Sequence, residues 1–152
     1  MIRNYFVIGI LAGLSFFSCD HKNPRMAFRD GYYTAEMKDF DSYGWKEFIS
    51  IQINNGYIVT VEYNARNISG FVKSWDPDYM RTMNASDGIY PNKYTRMYAT
   101  ALLSLQNVDF VEAISGATTS YYSFVRLAKA AIKQAREGSK QVALVDVPAE
   151  EP

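Results

Sequence analysis

Two stretches of the chain alternate with a period of two. In residues 47–53, Ile49, Ile51 and Ile53 fall on one face and Ser50 and Gln52 on the other. In residues 57–63, Tyr57, Val59, Val61 and Tyr63 oppose Thr60 and Glu62. Such alternation predicts half-buried strands. Between them lies Asn54-Asn55-Gly56, and Asn-Gly supplies the two positive-φ residues of a tight hairpin. Gly31-Tyr32-Tyr33-Thr34-Ala35-Glu36-Met37 reads as an earlier short strand, separated from the hairpin by the turn-rich run Asp39-Phe40-Asp41-Ser42-Tyr43-Gly44. Val108-Asp109-Phe110-Val111 also reads as β-like.

The remaining apolar positions follow a helical period. Asp76 is a candidate N-cap with Pro77 at the first helical position, opening a helix to about Asn84 that Ala85-Ser86-Asp87-Gly88 breaks. Residues 91–105 space Tyr94, Met97, Tyr98, Ala101, Leu102 and Leu105 as a helix would. Residues 119–136 carry Phe124, Leu127, Ala128, Ala131, Ile132 and Ala135 on one stripe, and Gly138 stands where a helix ends. Residues 64–70 read as a loop, and residues 139–152 as a flexible, frayed tail. The pattern predicts an α+β fold: an antiparallel sheet with an Asn-Gly hairpin, packed against two or three helices.

Composition narrows the chemistry. At 152 residues and 48% hydrophobic, the chain is sized for one packed domain. Acidic and basic residues balance at 16 each, and no clustered basic face suggests nucleic acid. The 12 Tyr and 9 Phe suit either an aromatic core or the walls of a flat ligand's site. Cys19 and His21 are the only residues of their kinds, so the segment beyond them has no Cys/His zinc site, no His-ligated haem and no Ser-His-Asp triad. Redox chemistry there would need a bound organic cofactor.

The first residues read as an address. Arg3 precedes an uncharged apolar stretch over residues 5–17, shorter than the ~20 residues of a spanning helix and of signal-peptide length. Phe16-Phe17-Ser18-Cys19-Asp20 resembles a bacterial lipobox, with Phe16 where Leu or Val is usual. That resemblance implies a signal peptide over residues 1–18, a lipidated Cys19 and a tether to residue 29, with the protein exported and anchored to the cell membrane or outer membrane. The alternative is a free thiol in an uncleaved signal anchor. Two or three acyl chains would hold it firmly.

Candidate chemistry gathers where the last helix begins. Ser115-Gly116-Ala117-Thr118-Thr119-Ser120 combines small residues, which let a ligand approach the backbone, with hydroxyl donors. A helix N-terminus offers unpaired N–H groups and a positive dipole end, a seat for phosphate. Ser115 or Thr118 as a plain N-cap is the competing reading.

Glu112-Ala113-Ile114-Ser115-Gly116-Ala117-Thr118 resembles the flavinylation motif of the FMN-binding domain family, Asp-x-x-Ser/Thr-Gly-Ala-Thr, with Glu112 in place of the Asp. That family includes flavin-bearing components of the sodium-translocating NADH:quinone reductase and of the related Rnf complex. Asp30-Gly31-Tyr32-Tyr33-Thr34-Ala35-Glu36, Asp39-Phe40-Asp41, Gly44-Trp45-Lys46, the Asn-Gly hairpin and Lys73-Ser74 are similar to small FMN-binding lipoproteins of extracellular electron transfer. The resemblance spans residues 30–138.

It implies that a flavin transferase, using FAD and Mg²⁺, joins FMN to the Thr118 hydroxyl by a phosphoester. The flavin would then pass electrons between a membrane donor and an outside acceptor, proteins or quinone. Lys73 and Ser74 are candidates to meet the phosphate or the ring carbonyls, and Trp75 and Tyr79 to stack on the ring, against ordinary loop and core roles. Asp76 and Asp78 as an acid/base pair compete with the helix cap. Two other readings stay open: a non-catalytic surface lipoprotein of the same fold with flavin weakly bound or absent, and a reductase with its own substrate. The latter finds no Gly-x-Gly-x-x-Gly loop here.

Overall fold

A computed structural model describes residues 28–146. The export and lipidation reading, with Cys19 and His21, falls outside the described residues, as does the end of the tail. β1 (Gly31–Met37), β2 (Lys46–Asn54) and β3 (Tyr57–Arg66) form an antiparallel meander, and β4 (Ala143–Val145) completes the sheet in the order β3-β2-β1-β4. Three helices, α1 (Pro77–Asp87), α2 (Pro91–Leu105) and α3 (Thr118–Glu137), follow the meander. The architecture is the α+β arrangement that the periodicities predict.

The hairpin forms at Asn55 (φ 53°) and Gly56 (φ 76°), the left-handed pair that a two-residue turn matched to strand twist demands. Both amide N–H groups of this turn donate to the Asp30 carboxylate at 3.1 Å, tying the turn to the start of β1. The alternation of β3 is interrupted. The register slips between Gln52 and Ile53, so that Gln52 faces Thr60 while Ile53 faces Ile58. The bulge leaves Val59 unpaired and turns Ile58 inward, with Tyr57 and Val59 outward. Beyond it Tyr63 and Ala65 are buried, and the strand runs three residues further than its alternation suggests. At this edge the Gln106 side chain stands in for a strand partner: its Oε1 accepts from the Ile58 N–H and its Nε2 donates to the Ile58 carbonyl, both at 2.8 Å.

One face of the sheet is solvated, and the other is covered by α3 across β1 and β2 and by α2 across β3. Tyr33, Ala35, Ile49, Ile51, Ile53 and Tyr63 meet Tyr98 and Leu102 of α2 and the whole α3 stripe, Phe124 to Ala135. Met97 and Leu105, read as part of the α2 stripe, lie on its exposed margin.

Three segments depart from expectation. Val108–Phe110 is a 3₁₀ turn rather than a strand, because the Asn107 side chain accepts from the Asp109 N–H at 3.0 Å and closes the backbone locally. Residues 143–145, expected in a frayed tail, pair in parallel with β1 through Ala35, Glu36 and Met37. Phe28 and Arg29, expected in the tether, are docked: Phe28 is buried and the Arg29 N–H donates to the Ala135 carbonyl at 2.9 Å.

Candidate functional site

The loop before α3 is held by one phenol. Tyr98, buried on α2, accepts from the Ile114 N–H and donates to the Ala117 carbonyl, each at 3.0 Å. Ala117 N–H in turn donates to the Ile114 carbonyl at 2.9 Å, closing Ser115 and Gly116 into a turn. Gly116 sits at φ +78°, and a Cβ there would stand 2.8 Å from Ile89 Cγ2 and 3.0 Å from the Asp87 carbonyl. Both the backbone conformation and the close approach require glycine. Gly116→Ala is expected to lower unfolding free energy by about 2–4 kcal/mol, from left-handed strain plus overpacking against backbone. Urea denaturation of the purified domain measures it, and a loss below about 1 kcal/mol contradicts the fit.

This clamp sets where α3 starts. Its N-cap is Ala117, and no side chain caps the first turn. Neither Ser115 nor Thr118 is the N-cap, so the plain capping reading fails. The leading N–H groups of Thr118, Thr119 and Ser120 have no intrahelical acceptor and concentrate the positive end of the helix dipole.

That helix end opens onto a cavity of about 400 Å³, within the range of small-molecule sites. Gly116, Ala117, Thr118 and Thr119 line it. The opposite wall comes from the turn between β1 and β2. There the Asp41 carboxylate accepts from the Tyr43 N–H at 2.9 Å and the Trp45 N–H at 2.8 Å, fixing Trp45 at the cavity with its indole buried. Tyr79 of α1 meets the Trp45 ring edge-on at 6.1 Å. Lys73, only 8% exposed, lies 4.7 Å from the Tyr79 ring centroid and 5.7 Å from that of Trp45. The two ring faces compensate the desolvated ammonium.

The floor is polar. Glu47 on β2 accepts from the Tyr63 hydroxyl at 2.8 Å and is hydrogen-bonded by Ser123. Burial pushes its carboxyl above the ordinary carboxylate range, opposed by Ser123, Tyr63 and the Lys73 charge. Burial likewise pushes the phenols of Tyr63 and Tyr94 well above their usual value, so both stay neutral at physiological pH. Tyr94 is hydrogen-bonded to Ser120. Asp39, Asp41 and Arg126 complete the charged lining.

The residues singled out in the sequence separate into two groups. Gly116, Ala117, Thr118, Thr119, Lys73 and Tyr79 meet at the cavity. Glu112 and Ser115 are on the loop, outside its lining. Ser74 is buried behind it, accepting from Asn64 Nδ2 at 2.9 Å, and Trp75 is 65% exposed against Phe71. Both line a second cavity, of about 530 Å³, between β3 and α2, so neither meets the first. Asp76 caps α1, accepting from the Asp78 and Tyr79 N–H groups at 3.0 Å, and Asp78 pairs with Arg81, leaving no acid/base couple. Trp45, Glu47, Tyr94 and Ser123 were not anticipated. Glu47 had a signal: it continues the phase of Ile49, Ile51 and Ile53, placing a carboxylate on the apolar face.

No protein-family model matches the chain. A 15 kDa lipoprotein of Treponema pallidum (strain Nichols) is 43% identical over 112 residues, covering 74% of this chain and 79% of its own length. The crystal structure of the CPE2226 protein from Clostridium perfringens superposes with a TM-score of 0.77 at 35% identity, covering 80% of this chain and 99% of that one. With that identity and coverage, this chain belongs to the family of the Treponema pallidum 15 kDa lipoprotein.

Proposed function

We propose that this chain is an exported lipoprotein, anchored through Cys19 outside the cytoplasm, that carries FMN as an electron-transfer group at the cell envelope, joined by a phosphoester to Thr118. The observation that carries the reading is the cavity that begins at Thr118 and the uncapped first turn of α3 and ends at Trp45, Tyr79 and Lys73. The name of the Treponema relative supports the anchor.

The residues fit the group. Thr118, Thr119 and the leading N–H groups of α3 suit a phosphate. Trp45 and Tyr79 give the cavity aromatic walls for a flat ring. Lys73, Glu47 and Ser120 supply polar partners for its edge. When bound, FMN supplies one- or two-electron chemistry that the described side chains lack. The protein holds the ring away from bulk water, sets the charge around it and keeps the acceptor hydroxyl at the cavity mouth. Glu112 and Ser115, exposed on the same loop and outside the cavity lining, would be accessible to the flavin transferase. Its redox partners are carrier proteins or a quinone.

Co-expression with a flavin transferase is expected to give a yellow protein whose intact mass rises by one FMN phosphoester and whose flavin absorbance survives denaturation. A colourless protein of unmodified mass overturns the proposal and leaves the surface-lipoprotein reading.

A further inference from the structure

The hydroxyl of Tyr63 faces two acceptors. It lies 2.8 Å from Glu47 Oε1 and 2.9 Å from the Ser120 carbonyl oxygen. A phenol has one proton, so it serves one acceptor at a time. With Glu47 charged, Tyr63 donates to it and Ser123 supports it. With Glu47 neutral, the carboxyl O–H donates to the Tyr63 oxygen and Tyr63 turns its proton onto the Ser120 carbonyl. That carbonyl lies in the first turn of α3 and is an acceptor of the helical ladder, so it is satisfied in either arrangement. Neither state leaves the Glu47 carboxyl or the Tyr63 hydroxyl without a partner.

We propose that Glu47 and Tyr63 form the proton-exchange site of the cavity: Glu47 holds one proton for the polar edge of the ring, and the Tyr63 hydroxyl reorients to satisfy both charge states. The proposal rests on reading the cavity as the ring site of FMN. When a quinol or carrier protein supplies electrons to bound FMN, Glu47 would break its O–H bond and release that proton to the polar edge of the ring. Glu47 becomes a carboxylate receiving hydrogen bonds from Tyr63 and Ser123, and water entering through the cavity mouth reprotonates it.

The charged and titratable surroundings come from every packed element: Asp39 and Asp41 of the β1–β2 turn, Lys73 before α1, Tyr79 of α1, Tyr94 of α2 and Arg126 of α3. Lys73 favours the carboxylate while Asp41 opposes it. Burial favours the neutral acid and raises the carboxyl above its ordinary range, against the hydrogen bonds of Ser123 and Tyr63.

The test begins on the unloaded chain. With carbon-13 glutamate and tyrosine, the Glu47 carboxyl is expected to titrate above the ordinary carboxylate range, and the Tyr63 Cζ resonance to follow the same midpoint. Tyr63→Phe removes a donor that favours the charged form, and the midpoint is expected to move up by roughly half to one pH unit. A carboxyl titrating in the ordinary range, or a Tyr63 resonance indifferent to it, overturns the proposal without any variant. In the flavin-loaded chain, Glu47→Gln is expected to flatten the pH dependence of the midpoint potential. An unchanged slope overturns the ring as the destination of the proton. A chain that never takes up flavin overturns the function above and that destination with it, while the carboxyl titration still decides the Glu47–Tyr63 exchange.

Discussion

Phe124→Ala is expected to lower the unfolding free energy by about 3–5 kcal/mol, a large share of the roughly 5–15 kcal/mol that holds a domain of this size. Phe124 is 0% exposed, at the centre of the α3 stripe. Its ring stacks on Tyr98 at 5.1 Å and an interplanar angle of 18°, and meets Tyr63 edge-on at 5.1 Å. Those two phenols are the supports of the site. Tyr98 pins the loop before α3, and Tyr63 serves Glu47 and the first turn of the helix. Truncation therefore removes buried apolar area and opens a void beneath both. Urea unfolding is expected to show a lowered midpoint with little change in slope, because the surface exposed on unfolding changes little. Phe124→Leu fills most of the void and is expected to recover more than half of the loss. Equal losses for the two variants would contradict a packing origin.

The hairpin and the helix stripes were legible because Asn-Gly and the apolar periodicities act locally. The bulge at Val59 was not, because it answers to the pairing of β3 with β2 rather than to any residue of its own. β4 was invisible for a similar reason: three residues gain strand geometry only from the edge that β1 offers. At the site, the Ser115-to-Thr118 run was marked by its position before a long amphipathic stripe. Lys73, Ser74 and Trp75 were read together, but successive residues of a 3₁₀ turn point about 120° apart. Only Lys73 reaches the cavity; Ser74 turns to Asn64 and Trp75 to Phe71. Trp45 takes the wall that Trp75 was expected to give, held there by Asp41 from a turn that looked merely polar.

Thr118→Ala is expected to abolish covalent flavin altogether while changing stability by no more than about 0.5 kcal/mol, the range of an exposed surface substitution. The separation follows from geometry. Thr118 is the first residue of α3 and is exposed, and its hydroxyl caps nothing, so its loss leaves the helix start as it was. A phosphoester needs that hydroxyl and nothing can replace it at the position except serine. Thr118→Ser is therefore expected to keep the modification. Intact mass after co-expression with a flavin transferase, with in-gel flavin fluorescence, reads both variants, and thermal unfolding of the unloaded chains reads the stability. If Thr118→Ala still gains the FMN mass, the acceptor lies elsewhere on the same turn. Ser120 is engaged with Tyr94 at the cavity floor. Thr119, exposed beside Thr118 and lining the same cavity, is then the hydroxyl to replace next.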